Sequence, residues 1–69
     1  MKLSIEYEQE EDGRWLAEVP ELPGVLVYGS TAEEAMAKAE TLALRVLAER
    51  IEAGESRLVP ISITIAAAA

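Results

Sequence analysis

The sequence predicts an α+β fold, with one long helix packed on one face of a four-stranded mixed sheet, element order β-β-β-α-β and strand order 3-2-1-4. Three observations predict it. Residues 2–8 alternate between apolar and polar side chains, as a strand with one wet face requires. At Thr31 the period changes to that of an amphipathic helix. Beyond Gly54 a β-branched, alternating segment returns.

The first strand places Leu3, Ile5 and Tyr7 on one face and Lys2, Ser4, Glu6 and Glu8 on the other. Gln9 to Gly13 is polar and ends in Asp-Gly, which predicts a hairpin loop of about five residues leading into a strand from Arg14 to Val19. Trp15, Ala17 and Val19 alternate there with Arg14, Leu16 and Glu18. Setting Glu8 opposite Arg14 puts Tyr7 against Trp15, Ile5 against Ala17 and Leu3 against Val19, so the expected register pairs apolar with apolar throughout. Two aromatics paired across a hairpin read as a structural anchor, and Trp15 is taken as one.

Pro20 and Pro23 each remove an amide donor and fix φ, and each pushes the preceding residue to extended geometry. Pro20 to Gly24 is therefore expected to be a stiff corner that aims a short third strand, Val25 to Gly29. That strand is too apolar for alternation to assign its faces.

Thr31 followed three residues later by Glu34 is a capping box. Apolar residues then recur at Ala35, Met36, Ala39, Leu42, Ala43, Val46, Leu47 and Ile51, and Gly54 is placed to stop the helix in the left-handed conformation. A helix of about 22 residues is ~33 Å long, whereas strands of six or seven residues span only ~20–23 Å. Its last turns, with Leu44, Leu47 and Ile51, are expected to overhang the sheet and seek cover from a second subunit. Arg57 to Ile65 alternates Val59, Ile61, Ile63 and Ile65 with Pro60, Ser62 and Thr64, and reads as a final strand parallel to the first. At the sheet edge its isoleucines, Ile61 and Ile63 among them, would also favour self-association. The reading is one domain over residues 1–65, with Ala66 to Ala69 as a frayed or extended tail.

A chain of 69 residues is close to the lower limit for a stable core, one that typically supplies no more than ~3–5 kcal/mol. With no cysteine and no histidine, disulfides and transition-metal clips are out of reach, and a homodimer or larger assembly is the expected source of extra stability. The absence of those residues also removes the usual nucleophiles and bases, and Ser4, Ser30, Ser56 and Ser62 have no identifiable base. Neither an enzyme nor a cofactor or metal site is expected. Gly24 and Gly29 form no phosphate-binding loop, and the helix start carries glutamates where a phosphate would sit. A net charge of −7 argues against direct nucleic-acid binding and suits a basic protein partner. There is no basic-then-apolar leader and no apolar run approaching the ~20 residues of a membrane span, so the expected location is cytoplasmic, away from membranes.

Taken together, Tyr7, Glu11-Asp12-Gly13, Trp15, Ala17, Val19-Pro20, Pro23-Gly24, Gly29, Thr31 and Glu34-Ala35 resemble the N-terminal domain of the HicB family of antitoxins. The resemblance covers roughly residues 3–54. It implies a degenerate ribonuclease H-like fold without nuclease activity, and a role in binding and masking HicA, a small basic RNA-cleaving toxin. Many relatives continue into a DNA-binding domain. This sequence ends just after the expected strand four, so operator binding is not expected to carry over. The acidic residues Glu6, Glu8, Glu10, Glu11 and Asp12 are the expected toxin contacts on grounds of charge, while Tyr7, Gly13, Trp15, Pro20, Pro23, Gly24 and Thr31 form the structural signature. The alternative is a solitary homo-oligomeric binding protein with no cognate toxin.

Overall fold

The computed structural model describes residues 2–54 and 64–68. The described residues form, in chain order, strands β1 (Lys2–Gln9), β2 (Trp15–Glu18) and β3 (Leu26–Gly29), helix α1 (Ala32–Glu52) and strand β4 (Thr64–Ala68). The strands form one mixed sheet in the order β3-β2-β1-β4, with β1 antiparallel to β2, β2 antiparallel to β3, and β4 parallel to β1. Fold class, element order and strand order agree with the reading of the sequence. Of the final strand expected over residues 57–65, only Thr64 and Ile65 lie in the described β4; Val59, Pro60, Ile61, Ser62 and Ile63 lie outside the described residues. β4 continues to Ala68, so alanines assigned to a tail instead pair with Ser4, Ile5 and Glu6 of β1.

The first hairpin is tighter than expected, and its register moves by two residues. Tyr7 faces Ala17, Glu8 faces Leu16 and Gln9 faces Trp15. The cause lies in the loop. The Glu10 amide donates to the Arg14 carbonyl at 2.7 Å, and the Gly13 amide donates to the Glu10 carbonyl at 3.0 Å. Only Glu11, Asp12 and Gly13 remain between the paired residues, with Gly13 in the left-handed region at φ 92°. An even shift preserves which residues share a face, so every apolar residue of β1 stays on the core side. Tyr7 and Trp15 become diagonal neighbours, with ring centroids 6.2 Å apart and planes tilted by 45°.

The proline corner is closed by its backbone and filled by Leu22. Val19 N–H donates to Val25 C=O, Leu22 N–H to Val19 C=O and Val25 N–H to Leu22 C=O, each at 3.0 Å. Leu22 is buried together with Val19 and Val25, so the corner contributes to the core as well as turning the chain. Where the β1–β2 register would next set Ser4 opposite Pro20, the ladder changes partner. Glu21 accepts from the Ser4 amide at 3.1 Å and from its hydroxyl at 2.7 Å, supplying an acceptor beside a residue that has no amide to donate.

Helix α1 starts at the expected cap: Thr31 is extended, and its hydroxyl accepts from the Glu34 amide at 3.0 Å. The reciprocal half of the box is displaced by one residue, because the Glu34 carboxylate reaches the Ser30 hydroxyl at 3.0 Å and the Ser30 amide at 3.4 Å. The helix ends at Ala53, followed by Gly54 at φ 74°. Its buried stripe is Ala35, Ala39, Ala43 and Leu47, at intervals of four. Small side chains on that stripe, with Ala17 and Gly29 beneath, bring the helix close to the sheet.

For one of the three residues expected to overhang the sheet, the stripe gives a different place. Leu47 lies in the core rather than beyond the sheet, because it continues the line from Ala43. Leu44 lies to the side of that line and is 44% exposed, and Ile51 is half-buried. The core comprises Leu3, Ile5, Ala17, Val19, Leu22, Val25, Ala35, Ala39, Ala43 and Leu47, with Tyr7, Trp15, Val27, Met36, Leu42, Val46 and Ile65 packed around it. Among the described residues it contains no buried polar or charged side chain.

Candidate partner-binding surface

With α1 on one face of the sheet, alternation directs the other set of side chains away from the core. The pairing then assembles a surface that no single segment reveals. Glu6 stands opposite Glu18, Glu8 opposite Leu16, Leu16 opposite Tyr28, and Glu18 opposite Leu26. Leu16, Leu26 and Tyr28 thus form a short apolar strip over β2 and β3, with Leu26 48% and Tyr28 40% exposed. Glu6, Glu8 and Glu18 form an acidic margin on its β1 side. Directly opposed carboxylates repel, and the fold accepts this repulsion at the Glu6–Glu18 pair.

Of the five acidic residues expected to meet a partner, Glu6 and Glu8 lie on this open face, exposed on β1. Glu10, Glu11 and Asp12 belong to the hairpin end, where with Arg14 they line a shallow hollow. Asp12 is already engaged there. Its carboxylate accepts from the Arg14 amide at 3.0 Å and from the guanidinium at 2.7 Å, and these contacts hold its pKa below the ordinary value, the amide bond being the larger cause. Arg14 also lies 4.4 Å above the centre of the Tyr28 ring. The hairpin therefore spends its one cation on its own Asp12 and on the end of the apolar strip.

Charge-based reasoning missed Glu18, Leu16, Leu26 and Tyr28. The alternation of Arg14, Leu16 and Glu18 carried a signal for two of them. For Leu26 and Tyr28 the deciding information is the β2–β3 register, which sets Trp15 against Gly29 and Ala17 against Val27 and so turns Leu26 and Tyr28 outward. The residues of the structural signature take these places: Tyr7 and Trp15 pack against the core as diagonal neighbours, Gly13 and Gly24 have positive φ, Pro20 and Pro23 flank the corner, and Thr31 caps the helix.

Two serines contact carboxylates, Ser4 with Glu21 and Ser30 with Glu34. Both carboxyls are held below their ordinary pKa, Glu21 chiefly by the Ser4 amide and Glu34 chiefly by the Lys38 ammonium, which weakens them as proton acceptors. Among the described residues no three carboxylates gather in a way that could hold a metal ion. On the opposite flank of α1, Val27, Ala37, Lys38, Thr41, Leu42 and Arg45 line a second open groove, where Lys38 bonds to Glu34 at 3.1 Å and to the Tyr28 carbonyl at 3.3 Å. No helix among the described residues is long and apolar enough to cross a membrane. Comparison with protein-family models, curated proteins and solved structures gives no match to this chain.

Proposed function

We propose that this chain is an antitoxin-like, non-enzymatic interaction module that binds and masks a small basic RNA-cleaving toxin of the HicA type. The observation that carries the reading is the sheet face that no other described element covers, where Glu6, Glu8 and Glu18 border an apolar strip of Leu16, Leu26 and Tyr28. A cationic RNA-binding surface is the complement of that margin, and a net charge of −7 speeds encounter with it. The residue order that resembles the HicB N-terminal domain supports the same reading. The test is co-expression with a small basic HicA-type protein encoded beside this chain. Rescue of growth and co-purification are expected, with the complex weakening as salt rises; absence of a complex at low salt overturns the proposal.

A second reading, a solitary homo-oligomeric binding protein, draws on the exposed Leu44 of α1 and on the edge position of β4. Light scattering after size exclusion separates it from the first. A stable oligomer that ignores the toxin favours the second reading, and a monomer at micromolar concentration removes it.

A further inference from the structure

The sheet face described above is bare of any layer contributed by the described residues, and its chemistry is uneven from one side to the other. Apolar side chains occupy β2 and β3, and carboxylates occupy β1 and the end of β2. Building on the proposed function, we propose that this face receives an amphipathic helix of the partner, one bearing an apolar stripe with Lys or Arg along a single flank.

Three alternatives fit less well. A second copy of this chain would set its own Glu6, Glu8 and Glu18 either against the same three carboxylates or over the apolar strip, on top of −7 net charge per chain. A broad opposing sheet would cover the apolar strip and the carboxylates together, and with Arg14 committed to Asp12 and Tyr28 it would have to bury cations of its own among apolar side chains to meet them. Addition of a strand along the β3 edge meets backbone groups already in use: the Leu26 amide donates to Gly24 C=O at 3.1 Å, and the Tyr28 carbonyl accepts from the Lys38 ammonium at 3.3 Å. A helix with one apolar stripe matches a strip only two strands wide, and basic residues on one flank meet the acidic margin. The unevenness of the face also sets direction, because the basic flank must lie over β1 and the apolar stripe over β2 and β3.

The test uses the intact isotope-labelled chain and a synthetic helical peptide of about 16 residues, ~24 Å long, with a leucine stripe and lysines on one flank. A peptide of the same pattern with glutamates replacing the lysines is the control. Saturable amide shifts are expected at Glu6, Glu8, Leu16, Glu18, Leu26 and Tyr28. Affinity is expected to fall about tenfold in the Glu6→Gln/Glu18→Gln double variant and again in Leu26→Ser, and to stay unchanged in Glu33→Gln on α1. Shifts centred on α1, equal binding of the glutamate peptide, or unchanged affinity in both open-face variants would overturn the proposal. Mapping on the wild-type chain needs no substitution, so a variant that folds poorly leaves the test decisive. A toxin complex formed while the peptide maps elsewhere rejects this surface and keeps the masking role. Mapping to this face without any toxin complex does the reverse.

Discussion

Gly29 lies directly against Ala35: a Cβ placed on Gly29 would stand 2.6 Å from the Ala35 amide nitrogen and 3.0 Å from its Cα. Both obstructing atoms are backbone, at the first turn of α1, so neither can swing aside. At this point the end of β3 and the start of the helix come too close to admit a side chain on the strand. Gly29→Ala is expected to cost about 1–3 kcal/mol through overpacking, a large share of what a domain this small can hold. Urea unfolding would read it as a lower midpoint at unchanged slope.

The two leucines near the end of α1 should behave in opposite ways. Leu47→Ala empties a core position and is expected to cost about 2–4 kcal/mol, whereas Leu44→Ala removes an exposed side chain and should stay within about 0.5 kcal/mol of wild type. Thermal unfolding of the two variants side by side checks the assignment. Equal effects would place Leu47 outside the core.

At the helix start, Thr31→Ala removes the acceptor for the Glu34 amide and is expected to cost about 1 kcal/mol, with Thr31→Ser recovering most of it. Because Glu34 bonds to Ser30 rather than to the Thr31 amide, Ser30→Ala should add a separate loss. Circular dichroism melts of the single and double variants measure how nearly the two losses add.

Asp12, Glu21 and Glu34 all have folded pKa values below their ordinary values of 3.8, 4.5 and 4.5. The unfolded chain then binds more protons as the solution is acidified, so their stabilisation is complete above the unfolded values and is lost as pH falls through the folded ones. All three are exposed, which keeps the effect modest and sensitive to salt. Acidification also relieves the general repulsion of a chain carrying −7, so the informative quantity is a difference between proteins. An Asp12→Asn/Glu21→Gln/Glu34→Gln variant should lose less stability than wild type between about pH 5.5 and 3. A pair of parallel pH curves would remove these contacts from the account.

Most of the architecture was legible because local signals and the global fold agree. Strict alternation in β1, the capped helix and the proline corner each point to one arrangement. What escaped were quantities set between segments. The hairpin register depended on a Glu10–Arg14 hydrogen bond that shortened the loop, and hydrophobic pairing alone fitted a register two residues away equally well. The burial of Leu22 arose from closure of the corner, and that of Leu47 from the phase of the alanine stripe rather than from comparing helix and strand lengths. For the surface, the acidic residues of β1 were visible in the sequence. The strip beside them required the pairing of β2 with β3, because a run of apolar residues in β3 does not reveal which of them faces outward.

The Glu6–Glu18 pair joins stability to the proposed function with opposite signs. These side chains lie directly opposite each other on the open face, where like charges destabilise the sheet and unlike charges strengthen it. Glu18→Lys should convert repulsion into attraction and raise stability by about 0.2–1 kcal/mol. The same change places a cation in the acidic margin and should weaken binding of a basic toxin, first through slower association at low salt. Glu6→Lys should do likewise, while the Glu6→Lys/Glu18→Lys double variant restores like-charge repulsion and gives up the gain in stability without recovering binding. Urea unfolding and association kinetics on the four proteins measure the two effects separately. A stability gain with unaltered toxin binding would remove Glu18 from the interface and leave the pair as a purely structural feature of the sheet.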